Sequence, residues 1–259
     1  MQIAGLFIGK IVLEVKNLMV FFENALALND FSMTVHEREI VGVIGSNSAG
    51  KTTLMNTISG LILDMKIKEA RKGGERINVY GKIVFKDEDI AGIQPYDRVK
   101  KGLVLSRERH PIFPESDIME NLKIAGHTLK KQELREGVEY VFGLFPMLSD
   151  LKRRKAGFLS GGEQQMLAIS MALITKPILL LLDEPLLGLS PMMQTMLIDA
   201  IANLRQIRGL TILITEQFAR PVLPVIDRGY VIENGMLSLS GTGTELMNNP
   251  EVKSAYFGV

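Results

Sequence analysis

The chain has 259 residues, enough for one large domain or two joined subdomains around a buried core. Its 30 basic and 29 acidic side chains leave a formal charge of +1, so no strong field draws it to nucleic acid or acidic lipid. Cysteine is absent, which excludes disulfides and thiolate metal sites and fits a reducing compartment.

Met1–Ile8 is mildly apolar but lacks a basic leading segment, and reads as a fraying end or first strand rather than a signal peptide. Ile11–Phe22 is rich in β-branched and aromatic residues and Phe31–Val35 alternates, so both predict antiparallel strands. Glu39–Ile44 is a short apolar strand running into a glycine loop; Thr52–Ser59 reads as a helix stopped by Gly60. The charged stretch 64–78, with Gly73-Gly74 inside it, predicts a surface insertion in a loop or between strands. From Asp117 to about Gly143 the pattern is helical, with Asp117 and Glu120 spaced as a capping pair. The basic tetrad Lys152-Arg153-Arg154-Lys155 reads as a solvated loop.

Strands return at Ile178–Leu182 and Leu210–Thr215, and Ser190-Pro191 fits a helix cap followed by proline in the first turn. Ile178–Leu182 is far short of the roughly 20 apolar residues a membrane helix needs. Glu233-Asn234-Gly235-Met236 is a hairpin signal, and a last helix starts at Thr242–Glu245. The alternation of strands and helices predicts a parallel α/β core. His36, His110 and His127 are too scattered to build a metal site.

Three clusters carry chemistry. The run Gly45-Ser46-Asn47-Ser48-Ala49-Gly50-Lys51-Thr52-Thr53 matches G-x-x-x-x-G-K-[ST] between a strand and a helix. In such a loop backbone N–H groups converge on phosphate oxygens, lysine adds charge at the β- and γ-phosphates, and the Thr52 hydroxyl suits Mg²⁺. Asp183 and Glu184 directly end an aliphatic strand, where packing alone does not explain two acids. Asp183 is placed to hold Mg²⁺ through water and Glu184 to polarise an attacking water. Between these clusters, Leu159-Ser160-Gly161-Gly162-Glu163-Gln164-Gln165 opens a helix whose N-terminus favours an anion.

Together these motifs resemble the ATP-binding subunits of ABC transporters, and nearly the whole chain fits the resemblance. It implies a P-loop NTPase core with a parallel sheet, an antiparallel β subdomain and an inserted helical subdomain. The core would span about 1–100 and 172–259, the helical part about 101–171. It also implies ATP and Mg²⁺ as ligands, with Ser160, Gly161 and Gly162 covering the γ-phosphate held by a second ATP-binding subunit in a head-to-tail pair. Leu187-Gly188-Leu189-Ser190 would link the two sites, and Phe22 would stack on adenine.

The chain departs from the usual pattern twice. Glu108 stands where most such subunits have a glutamine that contacts Mg²⁺ and the attacking water. Gln217 stands where most have a histidine that touches the γ-phosphate; glutamine still donates a hydrogen bond but carries no proton. Both departures resemble the F-type subunit of branched-chain amino acid importers, as do Arg228–Gly235 and the ending through Ala255-Tyr256-Phe257-Gly258. The expectation is an ATPase docked on membrane permease subunits at the inner face of the cell membrane, paired with a copy of itself or a sibling chain. The competing expectation is a soluble ABC ATPase in a non-transport process, which usually fuses two such domains or inserts a long coiled coil.

Overall fold

A computed structural model describes residues 9–74, 76–108 and 111–257. The expectation for Met1–Ile8 falls outside them, as do Arg109, His110 and Gly258. Strands β1 (Ile11–Phe22) and β2 (Ala25–His36) form an antiparallel hairpin, and β3 (Ile40–Ile44) leads into α1 (Lys51–Ser59). Next come α2 (Leu61–Arg71), β4 (Ile77–Phe85), β5 (Glu88–Asp89), α3 (Pro95–Lys100) and β6 (Leu103–Ser106). Helices α4 (Ile118–Ala125), α5 (Lys131–Leu144), α6 (Pro146–Asp150) and α7 (Gly161–Leu173) follow without an intervening named strand. The chain closes with β7 (Leu179–Asp183), α8 (Pro191–Arg208), β8 (Thr211–Glu216), β9 (Arg228–Glu233), β10 (Met236–Thr242), α9 (Gly243–Asn248) and α10 (Pro250–Tyr256).

Two sheets result. One is four-stranded and antiparallel, in the order β2-β1-β4-β5; the other is six-stranded, β10-β9-β3-β8-β7-β6, and parallel except where β10 returns against β9. The parallel strands are buried on both faces, and their side chains alternate between two cores. Ile40, Ile44, Leu180, Leu182, Ile212 and Ile214 face the core shared with α4 to α8. Val41, Val43, Leu179, Leu181 and Leu213 face the core shared with α1 and the antiparallel sheet. The predicted α/β core, antiparallel β layer and helical insertion are therefore all present. β6 belongs to the parallel sheet, so the helical run starts beyond Ser106, later than a boundary near residue 101.

The local signals act as their chemistry dictates. Gly60 takes φ 86°, a left-handed conformation that ends α1 without Cβ strain. Asp117 accepts from the Glu120 N–H at 2.7 Å while Glu120 accepts from the Asp117 N–H at 3.0 Å, closing a capping box. Asn234 and Gly235 both take positive φ, 49° and 79°, the requirement of a two-residue hairpin turn with right-handed twist. This turn also reaches the glycine loop, because the Gly235 N–H donates to the Ala49 carbonyl at 3.0 Å. The tetrad Lys152–Lys155 is exposed, as a solvated loop requires.

The stretch 64–78 differs from expectation. Leu61–Arg71 is helical, with Ile62 its buried side chain, and Ile77 already begins β4. Its residues are mostly good helix formers, and Ile62, with Leu63 and Met65 partly buried beside it, seats the helix on the core just after Gly60, the cap it shares with α1. Arg98 sits beneath that junction, 1% exposed. Its guanidinium donates to the Thr57 and Ile58 carbonyls at 2.8 and 2.7 Å and to those of Ile93 and Ala91 at 2.8 and 3.1 Å. It thus satisfies the carbonyl end of α1 with a cation, as the helix dipole favours. Burial draws its pKa down to about 10, which leaves it charged at neutral pH.

Candidate nucleotide site

The loop between β3 and α1 has the shape phosphate needs. Ser48 (φ 64°) and Gly50 (φ 110°) both lie in the left-handed region, the type of backbone path that turns successive N–H groups inward to form an anion cradle. Ser46, Asn47 and Ser48 are exposed, whereas Gly45, Ala49 and Gly50 are buried beneath them. A Cβ on Gly45 would lie 2.5 Å from the Ile232 carbonyl, so only glycine fits there. Lys51 opens α1; Thr52 is exposed and Thr53 half-buried.

Lys51 is 3% exposed, and its ammonium donates to the Gly45 and Ser46 carbonyls at 2.7 and 2.8 Å. The same nitrogen lies 3.0 Å from Oε1 of Glu184. The structure therefore brings the lysine of one motif directly onto the carboxylate of another. Asp183, at the end of β7, accepts from the Thr215 hydroxyl at 2.7 Å and more loosely from Thr52 Oγ1 at 3.5 Å. Burial raises the pKa of Asp183, and the charges of Glu184 and Glu108 add to the rise. Glu108, half-buried beyond β6, is thus electrostatically part of the same site.

Asp183, beside the Thr52 hydroxyl of the phosphate loop and repelled by the charges of Glu184 and Glu108, suits a hard divalent cation, which would offset that repulsion. No group of three or more acidic or histidine side chains stands in metal-ligating geometry among the described residues. Mg²⁺ is ordinarily held by one or two carboxylates plus phosphate and water, so the donor set fits it.

Gln217 follows β8 directly and lines, with Glu184, Leu186, Leu187, Gly188, Gln194, Glu216, Phe218 and Pro221, a cavity of about 60 Å³. Ser160 caps α7: its hydroxyl accepts from the Glu163 N–H at 3.4 Å, and Glu163 accepts from the Ser160 N–H at 2.7 Å. Among the described residues these polar partners lie in the first turn of α7, not in the phosphate loop. Gly161 faces open space, whereas Gly162 packs so closely on Met193 that a Cβ would lie 2.4 Å from its methyl carbon.

A family model described as ABC transporter matches residues 28–187. The chain belongs to the ABC transporter family. One curated relative is a high-affinity branched-chain amino acid transport ATP-binding protein, BraG, from Pseudomonas aeruginosa. It is 36% identical over 247 residues, 95% of this chain and 100% of that protein. A probable LivF of Archaeoglobus fulgidus is 33% identical over 90% of this chain and 92% of its own length. The lipopolysaccharide export ATP-binding protein LptB of Haemophilus influenzae is 32% identical over 95% of this chain and 97% of that protein. Among solved structures, the ADP conformation of MJ1267, an ATP-binding cassette of an ABC transporter, superposes with a TM-score of 0.80 at 26% identity. That match covers 96% of this chain and 99% of MJ1267.

Of the remaining residues of this ABC chain, one was expected at the site and one was not. Phe22, at the end of β1, is half-buried and packs on the core beside α1, so packing claims part of the ring. Glu216, just past the predicted strand Leu210–Thr215 and not among the expected site residues, is a fourth carboxyl group at the site, 4% exposed. Burial, with the charge of Glu184, pushes its pKa up to about 8, against the Leu186 N–H and the Lys51 charge that pull it down.

The sign of that shift predicts a pH dependence. The folded chain holds this proton more tightly than the unfolded chain, whose carboxyl titrates near 4.5. The resulting stability is complete below about 4.5 and is lost as pH rises toward about 8. Melting temperatures between pH 5 and 8.5 should therefore fall by a few degrees. Glu216→Gln should flatten that part of the curve; parallel curves for the two proteins would contradict the assignment.

Proposed function

We propose that this chain is the ATP-binding and hydrolysing subunit of a membrane importer for branched-chain amino acids. The observation that carries this reading is the Lys51–Glu184 contact at 3.0 Å, which joins the phosphate loop to a base at the end of β7. The full-length similarity to BraG and LivF supports the cargo class. Among the described residues no helix is long and apolar enough to cross a membrane, so the site would work through membrane permease subunits at the inner face.

In this reading Lys51 serves two anions in turn. A γ-phosphate competes with Glu184 for the ammonium, and its arrival frees the carboxylate to take a proton from the attacking water. Thr52, Asp183 and Glu108 would hold Mg²⁺, which neutralises charge on the phosphates. Gln217, on the cavity beside Glu184, donates a hydrogen bond to the γ-phosphate or the water without supplying a proton. Phe22 offers its uncovered face to the adenine ring.

The exposed start of α7 is half of a second site. Ser160 and the open face of Gly161 would cover the γ-phosphate bound by a partner ATP-binding subunit, closing a head-to-tail pair with two ATP between them. Leu187–Ser190, with Gly188 at φ 73°, would pass the state of one site to the other. The division into an ATP-binding core and a helical segment gives α4 to α7 the task of transmitting closure to the permease.

Tagged Glu184→Gln protein, purified from detergent-solubilised native membranes in ATP and Mg²⁺, tests this reading by mass spectrometry. Polytopic permeases and either a sibling ATP-binding chain or this chain alone are expected. Recovery of soluble proteins only would move the function to a non-transport ABC ATPase, and co-purifying lipopolysaccharide export components would move the cargo class.

A further inference from the structure

Glu216 has no role in the chemistry derived so far, yet both its backbone and its side chain touch the machinery. Its carbonyl accepts from the N–H of Gly45, the first residue of the phosphate loop, at 3.2 Å. Its Oε1 accepts from the Leu186 N–H at 2.9 Å, two residues beyond Glu184. The preceding residue, Thr215, offers its carbonyl (3.1 Å) and hydroxyl (3.2 Å) to the Glu184 N–H. From the opposite side, the Gln194 carboxamide of α8 donates to the Leu186 and Leu189 carbonyls at 3.4 and 3.3 Å. The turn from Glu184 to Leu189 is therefore gripped between the end of β8 and the start of α8.

That grip has something to hold. Glu184 takes φ 46°, a left-handed conformation that a residue with a side chain keeps only when its surroundings over-determine it. An apolar residue at 216 would leave the Leu186 N–H without its partner in a buried setting, where the orphaned donor is costly. The charged groups facing Glu216 are Glu184, from the turn itself, and Lys51, from α1.

We infer that Glu216 is a positioning residue: its carboxyl group clamps the Glu184–Leu189 turn to the strand end that also anchors the phosphate loop. It acts on hydrolysis only through Glu184, so the inference rests on the reading of Glu184 as the base. A hydrogen-bond clamp needs an acceptor at Oε1, not a negative charge, and a carboxamide supplies the same acceptor.

The test uses purified full-length protein, with ATP affinity by equilibrium dialysis and kcat and KM by phosphate release. Glu216→Gln should keep kcat within about threefold of the parent. Glu216→Leu should lower kcat roughly 10- to 100-fold, the scale of an ångström-level misplacement of a reacting group. ATP affinity should stay within a few-fold in both, because Gly45 is held by the backbone of residue 216. Gln194→Ala, which loosens the same turn from α8, should reproduce the kcat loss and serves if Glu216→Leu does not fold.

The clamp is overturned if Glu216→Gln is as impaired as Glu216→Leu, which would make charge the requirement. It is equally overturned if kcat survives both Glu216→Leu and Gln194→Ala. Full turnover by Glu184→Gln would instead overturn the assignment of the base, so the two failures are distinguishable.

Discussion

Lys51→Ala should deprive the protein of its nucleotide. The ammonium it removes is the only charge within the phosphate loop Gly45–Thr53. A charge-assisted hydrogen bond contributes about 1.5–3 kcal/mol, so ATP affinity should fall at least roughly 10- to 100-fold. The loss is compounded because Lys51 also neutralises Glu184, at 3.0 Å and largely out of water. Taking one partner from a buried pair leaves an uncompensated charge, so the variant should also melt at a lower temperature. Isothermal titration with Mg-ATP and a thermal melt measure both effects. Unchanged affinity would mean that the loop is not the phosphate site.

Glu184→Gln should separate binding from chemistry. The carboxamide keeps the shape and the hydrogen-bonding reach of the side chain but is not a base at neutral pH. Removing a general base costs about 10²- to 10⁴-fold in rate, so steady-state hydrolysis should nearly stop. ATP should still bind, and binding without turnover should accumulate the closed pair, seen as a dimer by size-exclusion chromatography with light scattering. A monomer at saturating ATP and Mg²⁺ would sink the head-to-tail arrangement. The change also relieves Lys51 of its carboxylate partner, so ATP should bind at least as tightly as in the parent protein.

What the sequence revealed follows from how local each requirement is. A phosphate loop must be contiguous, because neighbouring N–H groups have to meet at one point; Gly45–Thr53 could therefore be read directly. Gly60, Asn234-Gly235 and the Asp117–Glu120 pair declare themselves because each meets its backbone requirement within a few residues. The helix Leu61–Arg71 is masked by its own charge: its core contacts, Ile62, Leu63 and Met65, sit in the first half, while Asp64 to Arg71 is mostly charged and the following Gly73-Gly74 suggests a loop.

Arg98 could not be found this way, since its four carbonyl partners lie 5 to 41 residues away and only the fold assembles them. Glu216 is different. A carboxylate ending a buried strand is the signal that singled out Asp183 and Glu184, and it was present again in Leu213-Ile214-Thr215-Glu216.

The β9–β10 turn bears on how the protein is to be handled. Tight hairpin tips are where an epitope tag or a fluorescent reporter is customarily spliced in, because they are taken to be ornamental. Here the tip is a strut. The Gly235 N–H holds the Ala49 carbonyl, the Gly235 carbonyl accepts from the Asn29 N–H at 2.8 Å, and a Cβ on Gly235 would lie 2.7 Å from the Ala27 carbonyl. A graft between Asn234 and Gly235 would silently loosen the phosphate loop, and the resulting loss of activity would be misread as interference by the cargo. The turn at Gly73, where a Cβ would meet nothing within 4 Å, is the safer graft point.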